Sequence, residues 1–162
     1  MTRSTGLYFL AFVSLCLLGG ALLFQYVGGL FPCQLCVWQR YPHGVVIALG
    51  LLGAPFLKGR AQAWALALAA LALLAGAAIA AFHVGVEQKW WEGLPGCVGE
   101  VPGQKPGTSL DDLLNQANKQ PAPRCDEIPW QMFGISMAGY NFIISLAVGL
   151  FGLGVAVGRR RA

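Results

Sequence analysis

The sequence predicts an all-α membrane protein: a four-transmembrane-helix bundle with one long outer loop and both termini in the cytoplasm. Three observations carry that prediction. Of the 162 residues, 56% are hydrophobic and only 11% are charged, against about a quarter charged in soluble domains. The apolar residues gather into four runs, each near the roughly 20 residues a helix needs to cross a bilayer. All seven acidic residues, Glu87 to Glu127, fall between the third and fourth runs.

The first run covers about 7–27. Its apolar core exceeds the roughly 7–15 residues of a secretory signal, and only Arg3 precedes it, so it reads as a retained span. The second ends at Leu57; counting back about 20 residues places its start near Trp38. Pro42 is expected to disturb a helix interior, which moves the start of regular helix toward Tyr41. The third run, 61–82, is rich in Ala and Leu, and the fourth is 133–157. The whole chain, 1–162, reads as one integral membrane domain.

Charge sets the orientation. Arg3, Lys58, Arg60 and Arg159 to Arg161 flank the spans with no acid beside them, and the positive-inside rule puts those segments in the cytoplasm. The connections 28–37 and 83–132 then face outward. The longer one also holds lysines, but long loops weigh less in the rule. The net charge of +4 therefore reports topology. No basic cluster is interleaved with readers of bases, so no nucleic-acid partner is expected.

The five cysteines are Cys16, Cys33, Cys36, Cys97 and Cys125. Cys16, in mid-span, reads as a small buried hydrophobe. The other four lie in the outward connections, in the kind of compartment where disulfides persist. Cys97 and Cys125 bracket a long Gly- and Pro-rich stretch. As a structural staple they would stabilise the fold by about 3–4 kcal/mol on the chain-entropy view. Cys33 and Cys36 close almost no loop, so a staple is a poor account of them. Such a Cys-x-x-Cys is a common redox device, its thiolate favoured by a helix N-terminus. Structural zinc asks for four ligands, typically two close pairs, and the second pair is not close; no metal is expected. Val37 in place of His excludes haem attachment.

The count along the second run puts Cys36 and Arg40 at the outer membrane boundary. Arg40 stands four residues after Cys36, on one helix face, and a cation there stabilises a thiolate or a quinone oxygen gaining charge. Snorkelling to the interface is its bland alternative. His43 reads as an ordinary interfacial residue. His83 ends the third run at the same boundary, balanced between an interfacial role and one near a quinone. In the long loop, Trp90, Trp91 and Trp130 suit the interface, and Thr108-Ser109 before Leu110 to Asn118 reads as a capped short helix. A flexible loop carrying Cys97 and Cys125 would shuttle between a soluble partner and the Cys33/Cys36 pair. A strong dithiol oxidant, at about −120 mV, needs a still more oxidising acceptor, and a quinone in the bilayer meets that need.

Pro32-Cys33-Gln34-Leu35-Cys36 followed by Gln39-Arg40 resembles the signature of the bacterial disulfide bond formation protein B (DsbB) family. Cys125-Asp126 through Trp130, Phe133-Gly134 and Ser136-Met137 resembles the family's entry into its last helix, and the likeness covers nearly the whole chain. It implies a thiol-disulfide oxidoreductase of the bacterial inner membrane, with its redox cysteines on the periplasmic side. The partner implied is a periplasmic DsbA-type thiol oxidase, whose thiolate attacks a Cys97–Cys125 disulfide at Cys97. Electrons then pass to Cys33–Cys36 and on to a quinone, ubiquinone or menaquinone, beside Cys36 and Arg40. His83 fits a family histidine by location. Gln39 stands where some members carry an acid, so it is given no proton role. The alternatives are a vitamin K epoxide reductase-like quinone enzyme, whose Cys-x-x-Cys lies near its last helix, and a non-catalytic membrane interaction protein with structural disulfides.

Overall fold

The structure is a computed structural model and describes residues 1–94 and 124–158. Four helices make up nearly all of it: α1 (Arg3–Tyr26), α2 (Gln34–Phe56), α3 (Gly59–Glu87) and α4 (Met137–Val157). Between α3 and α4 lies a hairpin of two two-residue strands, β1 (Gln131–Met132) and β2 (Ile135–Ser136). Phe133 and Gly134 both have positive φ, at 52° and 76°, the pattern of a tight I′ hairpin turn. The short loop helix expected over 110–118 lies outside the described residues.

α1, α3 and α4 are long and apolar enough to cross a membrane. α2 is of similar length, but its first half carries Gln39, Arg40 and His43. Each helix packs along its sequence neighbours, and α4 returns to α1. α2 and α4 thus face each other across the bundle diagonal. Leu7, Leu10, Val46, Leu66 and Leu73 fill the centre, with an alanine-rich face of α3 against them. Phe12, Leu15, Leu51, Leu68, Leu71 and Phe151 point outward, an apolar girdle of the kind that lipid covers.

Between lipid-covered helices the apolar effect gives little drive to associate, so close backbone approach through small residues matters. At Gly50, where α2 meets α1, a β-carbon would stand 2.8 Å from the Leu7 carbonyl oxygen. At Gly149, where α4 meets α3, it would stand 2.8 Å from Leu74.

Two helix ends differ from the sequence expectation, and both differences build the site. Regular helix in α2 begins at Gln34, not near Tyr41. Cys33 caps it: its sulfur accepts the Cys36 N–H at 3.3 Å. The helix runs on through Pro42, whose ring lies within 3.4 Å of where a β-carbon on Gly76 of α3 would sit; a larger residue there would crowd the ring. α3 runs past His83 to Glu87, one further turn. Its end is a Schellman motif, with Trp90 N bonded to Gly85 O and Lys89 N to Val86 O. Lys89 takes the left-handed position at φ 59°, which glycine usually fills; lacking that glycine, the sequence hides this stop. Trp91 closes over the last turn, stacked on Phe82 and donating to the Phe82 carbonyl at 3.0 Å.

Candidate active site

The first turn of α2 holds the two sulfurs of the Cys-x-x-Cys 3.0 Å apart, with Cys33 donating to Cys36. That donation, and then burial, push the Cys33 thiol above its ordinary value. Cys33 therefore keeps its proton while Cys36 carries the thiolate. Cys36 sits in the first turn, where the helix dipole favours negative charge.

His83, only 3% exposed, comes from α3 and sets Nε2 3.5 Å from the Cys33 sulfur. Gln39 Nε2 donates to the Leu35 carbonyl at 3.2 Å, and a carbonyl only accepts. The same amide nitrogen meets His83 Nδ1 at 2.9 Å, so Nδ1 is the acceptor and the ring proton sits on Nε2, facing the sulfur. Gln39 Oε1 accepts from Asn141 Nδ2 of α4 at 2.7 Å. Asn141 Oδ1 accepts from Ser145 at 2.9 Å and from His43 Nε2 at 3.0 Å. One buried polar chain thus runs from the dithiol across the bundle diagonal to α4.

His43 is therefore not the interfacial residue the sequence suggests. It is buried on α2, because that face of the helix turns toward Asn141. Cys16 also departs from expectation. Its side chain is exposed, lining a cavity rather than filling the core.

That cavity, of about 300 Å³, opens between α1, α2 and α4. Cys36, Arg40, His43 and His83 form polar parts of its wall, and Leu17, Phe24 and Ile144 are among the apolar ones. Cys33 is not part of the wall. Arg40 Nη1 donates to Gln25 of α1 at 2.6 Å. Arg40 Nε and His43 Nδ1 are buried and have no hydrogen-bond partner among the described residues, an uncommon condition that asks for a ligand or water.

Cys125 is fully buried against Cys33, Leu35 and Val86. The fold thus brings one cysteine of the long connection to the first pair. Beside it the exposed Arg124 pairs with Asp126 at 2.8 Å and holds that carboxyl below its usual range. Cys97 lies outside the described residues. The donor atoms of Cys33, Cys36 and His83 fall within 4.8 Å of one another, one short of the four of a structural zinc site; we read them as a dithiol with a histidine beside it.

Sequence reasoning passed over Gln39, Asn141 and Glu87. Glu87 was counted among the acids of the outer loop, but it is 7% exposed, held inside by the extra turn of α3. Its Oε1 lies 3.8 Å from His83 Nε2, and Ser136 donates to Oε2. Its spacing from His83, four residues on one helix face, is the signal that could have found it.

Fold and site together define a helical-bundle protein built around a buried dithiol. The family model described as disulfide bond formation protein DsbB matches residues 3–155. The chain is 36% identical over 147 residues to a disulfide bond formation protein B of Methylococcus capsulatus, covering 85% of this chain and 84% of the relative. It is 32% identical over 168 residues to one of Aromatoleum aromaticum, covering 98% and 95%. An uncharacterized Rickettsia prowazekii protein is 23% identical over 139 residues, covering 86% and 79%. No solved structure matches. The chain belongs to the DsbB family of disulfide bond formation proteins.

Proposed function

We propose that the chain is a membrane thiol:quinone oxidoreductase that reoxidises a periplasmic DsbA-type dithiol oxidase and so supports disulfide bond formation. In this reading all four helices cross the bacterial inner membrane, both termini are cytoplasmic and the cysteine pairs face the periplasm. The observation that carries it is the placement of Cys36 on the wall of a largely apolar cavity, next to a half-buried arginine whose buried Nε has no partner among the described residues.

The residues present fit a quinone. Arg40 Nε is a free donor for a carbonyl oxygen. His43 Nε2 gives its proton to Asn141, which leaves Nδ1 as a free acceptor for the hydroxyl of the reduced form. When bound, a quinone supplies a two-electron, two-proton acceptor at this wall. The chain's own residues do the rest. Cys97 and Cys125 take electrons from the partner dithiol by exchange, and the burial of Cys125 against Cys33 supports passage to the inner pair. Cys36 presents the thiolate to the cavity, and Arg40 steadies negative charge there. Cys33 holds its proton until it closes the Cys33–Cys36 disulfide. The His83 Nε2 proton, aimed by Gln39, stabilises charge arising on the Cys33 sulfur.

The test adds a reduced dithiol protein and a soluble quinone to the purified protein and follows quinone absorbance. We expect reduction by the wild type and loss of at least about 100-fold in Cys33→Ala, as for removal of a covalent participant. No reduction by the wild type, or equal reduction by the variant, defeats the reading.

A further inference from the structure

We propose that Glu87 is the proton carrier of this site, a role that rests on the thiol:quinone reading above. Oxidising a dithiol releases two electrons and two protons, and a quinone takes up both. The electrons have a path through the sulfurs. The protons need a base at the cavity wall, and the hydrogen-bond polarity of the site narrows the choice. His83 cannot serve at Nδ1, which is occupied by the Gln39 N–H, nor at Nε2, which already bears the ring proton. Arg40 is permanently charged. His43 has a free Nδ1 at the same cavity, but no described contact joins it to either sulfur or to His83, and its Nε2 is spent on Asn141. Glu87 remains: it lines the same cavity as Cys36, and its Oε1 and the Cys33 sulfur both lie within 3.8 Å of the one His83 Nε2. With a shared neighbour at 3.8 and 3.5 Å, carboxylate and sulfur stand no more than about 7 Å apart, a gap that a short water bridge spans.

In the step proposed, the Cys33 S–H bond breaks and the Cys33–Cys36 bond forms, Cys36 entering as the thiolate. Two electrons leave the sulfurs for the quinone. The Cys33 proton passes to a Glu87 carboxylate oxygen and from there to a quinone oxygen; the second proton, the equivalent of the one Cys36 shed on becoming a thiolate, comes from water by the same carboxylate, which ends as it began. Ser136 holds the other oxygen in place. Its hydroxyl donates to Oε2 while accepting from Gly139 N at 3.1 Å as the cap of α4. An acid on α3 thus stands in for the one that Gln39 does not supply from α2.

Glu87→Gln keeps an oxygen for the Ser136 hydroxyl and removes the base; Ser136→Ala removes the clasp and keeps the base. The titratable and charged groups around Glu87 are Cys36, Arg40 and His43 of α2, Cys33 at its N-cap, His83 of α3, Tyr140 of α4, and Cys125 in the connection before β1, and both variants retain them all. In the full-length protein with reduced dithiol protein and soluble quinone, we expect Glu87→Gln to lower kcat by about 100-fold, the scale of general acid–base catalysis. Acidification should slow the wild type as both the Glu87 carboxylate and the Cys36 thiolate become protonated, and in what activity Glu87→Gln retains only the Cys36 part of that fall should be left. Glu87→Asp should recover part of the rate. A second readout needs no quinone. The Glu87 charge opposes a thiolate on Cys36, so in quinone-free protein Glu87→Gln should move the midpoint of Cys36 alkylation to lower pH. Wild-type kcat in Glu87→Gln, or an unmoved alkylation midpoint, overturns the proposal. So does an equal loss in Ser136→Ala, which would make Glu87 a clasp alone. If the wild type reduces no quinone yet the alkylation midpoint shifts, the quinone reading has failed while the carboxylate remains placed beside the thiolate.

Discussion

The Cys33 side chain caps the helix that carries Cys36, donates to its sulfur and packs against Cys125. A raised value at Cys33 keeps its proton in place as pH climbs through the ordinary thiol range, so the reactive anion at neutral pH belongs to Cys36. Brief treatment of the reduced protein with iodoacetamide near pH 7 should therefore modify Cys36 well ahead of Cys33, read by mass spectrometry of the peptides. Equal modification would count against the division of roles. Arg40 offers a sharper check on the cavity. A hydrogen bond from a charged donor is worth about 1.5–3 kcal/mol, so Arg40→Met should raise KM for a soluble quinone by roughly 10-fold or more while leaving exchange with a dithiol protein intact. Both cysteines and Arg40 were legible in the sequence, because Cys-x-x-Cys and the residue four places on share one helical turn. Gln39, Asn141 and His43 were not: they matter through partners on other helices, and nothing local to each one names its partner.

At the scale of the element, the ends and crossings of the helices decide what reaches the site. Lys89 holds a left-handed backbone at the close of α3, which costs a side-chain-bearing residue about 1 kcal/mol. Lys89→Gly should raise the thermal midpoint of the detergent-solubilised protein; a lower midpoint would show that the side chain has contacts worth more than the strain. Gly50→Leu should do the reverse. With Leu7 O so near, α1 and α2 must part, at a cost of about 1–3 kcal/mol or more. Gly19→Ala, where a β-carbon meets nothing within 4 Å, is the matching control. The four apolar runs announced four helices, but the runs end where hydrophobicity ends and the helices end where hydrogen bonding does. α2 starts four residues before Trp38, and α3 outlasts its run by one turn. That turn carries Glu87 inward.

Across the described residues, apolar side chains cover the outside, and beside the leucine core a polar chain lies within, bridging α2, α3 and α4. That arrangement suits lipid on the outer face and a chemical site inside. The proposed orientation makes its own prediction. A reporter active only in the periplasm should be silent when fused after Val157 and active when inserted near Lys105. The opposite pattern would turn the molecule over and place the cysteines in the reducing compartment.

The sequence by itself determined the apolar helices, the Cys-x-x-Cys spacing and the family likeness. These depend on composition and on spacings within one helical turn, which local geometry translates directly into structure. Tertiary structure decided which polar groups meet. It set Cys125 against Cys33, aimed the His83 proton through Gln39 and Asn141, turned His43 inward and Cys16 toward a cavity, and brought Glu87 to the dithiol. The physical reason is that helical periodicity assigns each residue a face, while the partner across that face depends on how deeply glycines such as Gly50 and Gly149 let the helices approach and on where each helix stops.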